Sequence, residues 1–252
     1  MNFVVNFLVN LNMYLLIVLI AGYAQSQFNA SDSSAGLVAG LFIVGSLMGR
    51  FVMGKYINSL GPRKVLLIGT VLFTITSVFY FVESSLLFLI IVRIINGFSF
   101  GICTTSTGSI AGYITPETKK GEGISFFSLS MVLGAAIGPF LGLLLMQQYS
   151  IEVIFGLNLV LSFISLILAI FMKVPFETIA RTAEDKGFKV SDFIAKEAIP
   201  IDIIVFIAGL SYSSILNYIK VFAQERDLIT ASSYFLLSMQ SSQFFQDQFV
   251  VD

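Results

Sequence analysis

The chain has 252 residues, of which 56% are hydrophobic and only 12% are charged. Soluble domains carry about 25% charged residues. With a mean hydropathy of +0.91 and recurring apolar runs of roughly twenty residues, the length that spans a bilayer core, a water-soluble domain is excluded. The net charge of -1 arises from residues scattered through loops rather than gathered into one basic face, so no nucleic-acid partner is expected. The absence of histidine removes His-based triads, His-ligated metals and HExxH chemistry. Cys103 is the only cysteine, so neither an intrachain disulfide nor a CxxC site can form. It lies inside an apolar run and reads as a small packing residue. No metal, cofactor or enzymatic activity is expected, and the partner that the composition implies is the lipid bilayer.

The first apolar run, Phe3 to Ala24, predicts a membrane helix. It is too long for a signal-peptide core and lacks an A-x-A site, so it is expected to be retained. Asn2, Asn6, Asn10 and Tyr14 recur every four residues along it. At about 100° per residue they form a slowly drifting polar stripe. Amides in hydrocarbon need partners. Asn6, Asn10 and Tyr14 therefore either line a substrate cavity or hydrogen-bond to neighbouring helices.

Gln25 to Ser34 is polar, and Gly36 to Ile57 predicts helix 2. By the same angular count, Gly36, Gly40 and Gly54 fall on one side, with Gly45 and Gly49 roughly opposite. Small residues admit close helix contacts in membranes, so two neighbours and a central position are expected for helix 2. Arg50 near its end can snorkel to the surface. Gly54 to Lys64 reads as a tight, basic loop, because Gly61-Pro62 stops a helix and Arg63 and Lys64 resist entering lipid. Further helices are predicted over Val65 to Val82, Leu86 to about Ala111, Gly123 to Met146 and Val153 to Met172. Short polar connections at Glu83 to Ser85, Thr115 to Glu122 and Gln147 to Glu152 separate them.

The composition then changes. Lys173 to Ala198 holds five basic and five acidic residues, an exposed linker. Pro200 to Phe222 predicts helix 7, and Ile229 to Ser238 begins another apolar run. The expected organisation is an all-α integral membrane protein. Residues 1–172 form a six-helix half, 173–198 a cytoplasmic linker, 199–238 the start of a second half, and 239–252 an atypical tail. Arg63, Lys64, Lys119, Lys120, Arg181, Lys186, Lys189 and Lys196 lie in loops 2-3, 4-5 and 6-7. Loops 1-2, 3-4 and 5-6 carry Asp32, Glu83 and Glu152 and no basic residue. The positive-inside rule places the amino terminus in the cytoplasm, with Lys220 and Arg226 as a mild conflict. Six helices and a cytoplasmic linker correspond to half of a transporter built from paired repeats.

Three stretches resemble motifs of the major facilitator superfamily. Gly54, Gly61, Arg63 and Lys64 match its loop 2-3 signature, with Asn58 where that family usually has Asp and Pro62 where a basic residue is common. Arg93-Ile94-Ile95-Asn96-Gly97 is similar to the family's Arg-x-x-Gln-Gly motif on helix 4. Gly134, Gly138, Pro139 and Gly142 match the Gly-x-x-x-Gly-Pro-x-x-Gly motif that marks exporters on helix 5. The resemblance covers about residues 1 to 238. It implies that fold, a bacterial drug:proton antiporter-like exporter in the plasma membrane with a small-molecule substrate and protons as its partners, and a monomer when full length. It further implies a coupling role for Arg93, Asn96 and Gly97, and a gating role for Gly54, Asn58, Gly61, Arg63 and Lys64. Asn58 keeps hydrogen bonding but loses the charge that locks the gate in the family. Uptake by the same fold, or a non-transporting remnant, are the alternatives.

Beyond Met239 the sequence turns polar and amide-rich where helix 8 is expected to continue. The expectation is a truncation by a shifted reading frame, the alternative a true short tail. The adjacent frames of the gene discriminate, by encoding further apolar helices or not.

Overall fold

A computed structural model describes residues 1–82 and 84–174, together with Pro200, Ile203, Ile204 and Ile207. The expected linker from Pro175, the rest of helix 7, the run to Ser238, the tail, and the acidic residue Glu83 lie outside the described residues. The chain divides into Met1–Ala180 and Arg181–Asp252; the description below concerns the first unit.

Six helices long and apolar enough to cross a membrane are present among the described residues. They are α1 (Asn2–Phe28), α2 (Asp32–Leu60), α3 (Pro62–Val78), α4 (Leu86–Ile114), α5 (Lys120–Gln148) and α6 (Ile151–Phe171). One-turn 3-10 helices follow α3, at Phe79–Phe81, and precede α5, at Glu117–Lys119.

The ends of the helices follow local chemistry. Asn29 closes α1 in the left-handed conformation, with φ 49°. Ser31 caps α2 by accepting the Ser34 backbone N–H at 3.3 Å, and Ser85 caps α4 by accepting from the Phe88 N–H at 3.2 Å. The expected loop between helices 2 and 3 is shorter than its composition suggests. α2 runs to Leu60 and α3 begins at Pro62, so Gly61 alone turns the chain. Its φ of 84° is a conformation that favours glycine, and its N–H closes α2 on the Ile57 carbonyl at 2.9 Å. Pro62 then occupies the first turn of α3, where a missing N–H costs nothing.

Two glycine seams bring helices to backbone contact. On α2 and α4 the contacts recur once per turn. A Cβ built on Gly45 or Gly49 would stand 2.1 Å from the Ile94 carbonyl oxygen or 2.2 Å from that of Phe98. One built on Gly97 or Gly101 would meet the Phe42 carbonyl oxygen at 2.0 Å or that of Ser46 at 2.1 Å. The second seam joins α5 to α1. Gly134 sits against the Asn10 Cβ, Gly138 against the Tyr14 Cβ and Gly142 against the Leu15 carbonyl. Small residues are what such approaches need in lipid, where burial supplies little drive between helices.

The other glycine face of α2 corrects the sequence expectation. Gly36, Gly40 and Gly54 have no neighbouring atom within 4 Å of an added Cβ. Leu37, Ile43, Leu47, Met48 and Phe51 on α2 are exposed. Among the described residues α2 is therefore one-sided rather than central. α5 is similarly bare at Phe126, Phe140, Leu143 and Met146. The buried interior lies between α1, α3, α4, α6 and the inner face of α2, around Leu15, Tyr23, Val92 and Phe155, and around Phe42, Phe73, Phe100 and Cys103.

Candidate transport site

Arg93 lies two turns into α4, and its side chain is completely buried. Its Nε donates to the Val38 carbonyl of α2 at 3.3 Å, and its Nη1 to the Tyr80 hydroxyl at 3.2 Å. The guanidinium carbon sits 4.4 Å from the centre of the Phe42 ring, a cation–π contact. Nη2 has no hydrogen-bond partner among the described residues. The contact with Val38 continues the α2–α4 seam by one turn. Phe42 and Ser46 offer their carbonyls to Gly97 and Gly101, and Val38 offers its own to Arg93. Burial of a guanidinium is costly without a counter-charge. No salt bridge to Arg93 is present among the described residues.

Asn96, one turn further along α4, joins the same cluster. It accepts from the Tyr80 hydroxyl at 3.2 Å and donates to Thr76 Oγ1 at 2.8 Å; Thr76 in turn donates to the Phe73 carbonyl at 3.0 Å. Donors and acceptors thus run in one direction, Arg93 to Tyr80 to Asn96 to Thr76, and end on a backbone carbonyl. The expected trio Arg93, Asn96 and Gly97 is brought together on the buried side of α4. Tyr80 and Thr76 were not singled out from the sequence. Their spacing of one helical turn beside a polar cluster was the available signal, but the tight turn that points Tyr80 at α4 was not legible.

The polar stripe of α1 lies in the seam with α5. Asn6 Nδ2 donates to Ser130 at 2.7 Å, and Asn6 Oδ1 accepts from Thr107 of α4 at 2.9 Å. Asn2 donates to the Thr107 carbonyl at 2.9 Å, and Asn10 to its own helix at the Asn6 carbonyl at 2.8 Å. Asn6, Asn10 and Tyr14 therefore face Ser130, Gly134 and Gly138 in succession. The two buried amides sit in a helix contact in this unit, while Tyr14 is half-buried. A second amide pair, missed in the sequence because Asn12 falls off the stripe, joins α1 to α6. Asn12 donates to the Asn158 carbonyl at 2.7 Å, and Asn158 donates to Asn12 Oδ1.

The loop 2-3 residues occupy one end of the bundle. Arg63 reaches across to the last turn of α6 and donates to the Ile170 carbonyl at 3.0 Å, where a cation complements the helix dipole. Lys64 and Asn58 are exposed, and Gly54 is open on its free side. Asn58, Tyr113, Glu117 and Lys120 border a groove of about 490 Å³. Lys120 and Glu117 pair at 2.6 Å on its rim. Cys103 is buried against Gly69 of α3. Pro139 lies within α5, which continues past it to Gln148.

Comparison with known proteins agrees with this architecture. The profile of the Major Facilitator Superfamily matches residues 3–245. The chain is 30% identical over 137 residues to the uncharacterized MFS-type transporter MJ1560 of Methanocaldococcus jannaschii, covering 54% of this chain and 35% of that protein. It is 32% identical over 162 residues to the multidrug resistance protein MdtM of Escherichia coli K12, covering 62% and 38%. The inward-open xylose transporter XylE from E. coli shares the fold, with a TM-score of 0.59 and 17% identity over 69% of this chain and 47% of that one. The chain thus spans little more than a third of these curated relatives' length. With six membrane helices on the page and the family profile running over nearly all of the sequence, the chain belongs to the Major Facilitator Superfamily of transporters.

Proposed function

We propose that this chain is part of a proton-coupled exporter of small amphipathic compounds in a bacterial plasma membrane, with its amino terminus in the cytoplasm. The observation that carries the transport reading is the buried guanidinium of Arg93, which has no salt-bridge partner among the described residues, since an intramembrane cation is costly and is kept for function. Export is favoured by the Gly134, Gly138 and Gly142 seam around Pro139, and by the likeness to a multidrug resistance protein. In this reading Arg93, Asn96 and Gly97 serve coupling, and Gly54, Asn58, Gly61, Arg63 and Lys64 serve the gate. The whole cycle rocks two halves about a midplane site.

Proton antiport calls for a carboxylate that gains and loses a proton. The described acidic residues Asp32, Glu117, Glu122 and Glu152 all stand at helix ends or in loops. Asp202 lies outside the described residues.

Uptake is the alternative, because the same fold serves a xylose transporter. Direction separates the two. Cells loaded with a fluorescent lipophilic cation are expected to lose it faster when they make this chain, and a protonophore is expected to abolish the difference. Faster accumulation of the dye contradicts export and selects uptake. Identical loss with and without the chain contradicts both.

A further inference from the structure

We infer that Tyr80 is a positioning residue for Arg93, with Thr76 as its support, an assignment that rests on the transport reading above. Three contacts orient the guanidinium. Val38 takes Nε, Phe42 covers one face, and the Tyr80 hydroxyl takes Nη1. The first two hold the plane of the fork against α2. The third fixes its rotation and leaves Nη2 without a partner among the described residues.

The Tyr80 hydroxyl is suited to that task because it has no freedom of its own. It accepts from Arg93 and donates to Asn96, and Asn96 is held by Thr76. The Tyr80 ring is set independently of the hydroxyl. It stacks on Phe155 of α6 with centroids 5.4 Å apart, and is 2% exposed. Deleting the oxygen therefore leaves the ring in place and removes the tie on the guanidinium alone. Without it, both Nη1 and Asn96 Oδ1 lose a partner, and the fork can turn away from whatever Nη2 is kept to meet. Tyr80 touches no transported molecule in this account; it acts through Arg93.

The test is a double-mutant cycle on the whole chain with Tyr80→Phe, Arg93→Met and the pair. Two readouts are used: dye efflux at matched membrane abundance, and thermal unfolding in detergent. Tyr80→Phe is expected to lower the maximal efflux rate by an order of magnitude, roughly the effect of displacing a functional group by a fraction of an ångström. Half-saturation is expected to change less than about twofold, since Arg93 is misdirected rather than removed. The pair is expected to be no worse than Arg93→Met alone, and the unfolding shifts are expected to be non-additive.

Thr76→Ser, which keeps the oxygen, is expected to transport like the parent, and Thr76→Val is expected to repeat the Tyr80→Phe defect. Normal efflux by Tyr80→Phe, or losses that multiply in the pair, overturn the assignment. If the parent chain moves no dye, the transport reading fails separately, and the unfolding cycle still judges the contact. Shifts that simply add then overturn it, and shared shifts uphold the Tyr80 tie.

Discussion

Replacing Gly97 with Ala is expected to destabilise the chain by about 3 kcal/mol or more, at the upper end of overpacking effects. The new methyl group would meet the Phe42 carbonyl oxygen at 2.0 Å, whereas real contacts of this kind lie beyond 3.0 Å. The opposing atom belongs to a helix backbone, so no side chain can step aside. α2 has to move away from α4, and the companion contacts at Gly45, Gly49 and Gly101 open with it. Gly40→Ala supplies the control on the same pair of helices. No atom lies within 4 Å of its added Cβ, so the gain in helix propensity, about 0.5–1 kcal/mol, is expected to appear alone. A fluorogenic maleimide reports both unfolding transitions, because the single cysteine, Cys103, is buried in the folded chain. Equal melting of Gly97→Ala and the parent contradicts the α2–α4 seam.

Arg93→Met is expected to separate function from stability. The substitution keeps much of the length and packing of the side chain while removing a buried charge that lacks a salt-bridge partner among the described residues. Val38 keeps its carbonyl within its own helix, and the Tyr80 hydroxyl still donates to Asn96. Replacement of buried charges by apolar groups of similar volume is often neutral or stabilising by about 1–4 kcal/mol. The variant is therefore expected to melt at or above the parent temperature while dye efflux falls more than about tenfold, the change that about 1.4 kcal/mol of lost transition-state stabilisation produces. A variant that melts far lower but still transports reverses both expectations.

Much of the bundle was legible because a membrane helix is written in length and hydropathy, with little dependence on distant partners. The six apolar runs appear as six helices, and the angular separation of glycines on α2 correctly distinguished Gly45 and Gly49 from Gly36 and Gly40. What that count could not say is which side has a neighbour. Contact depends on the surface of α4, and Gly36 and Gly40 are open in the described unit. Helix ends were set too short wherever polar residues continue a helix beyond the apolar run, as at Asp32 to Ala35 and Asn58 to Leu60.

The candidate site was half legible. Arg93 and Asn96 stand out because a cation and an amide in an apolar run are expensive, and Gly97 follows by motif. Tyr80 and Thr76 did not stand out. Tyrosine and threonine are tolerated in membrane helices, and Tyr80 reaches Arg93 and Asn96 of α4 from the 3-10 turn at Phe79–Phe81. The α1 stripe was visible as a stripe, but its partner was not. The same four-residue spacing serves a cavity wall and a helix seam, and in the described unit Asn6 and Asn10 face Ser130 and Gly134 of α5.

Arginine-selective modification, read peptide by peptide with a dicarbonyl reagent on the purified chain, tests the burial of Arg93 most directly. Arg50 and Arg63 are exposed and Arg93 is 0% exposed. The account expects the first two to react and Arg93 to remain unmodified until the protein is unfolded. Modification of Arg93 in the folded protein at the rate of Arg63 contradicts it.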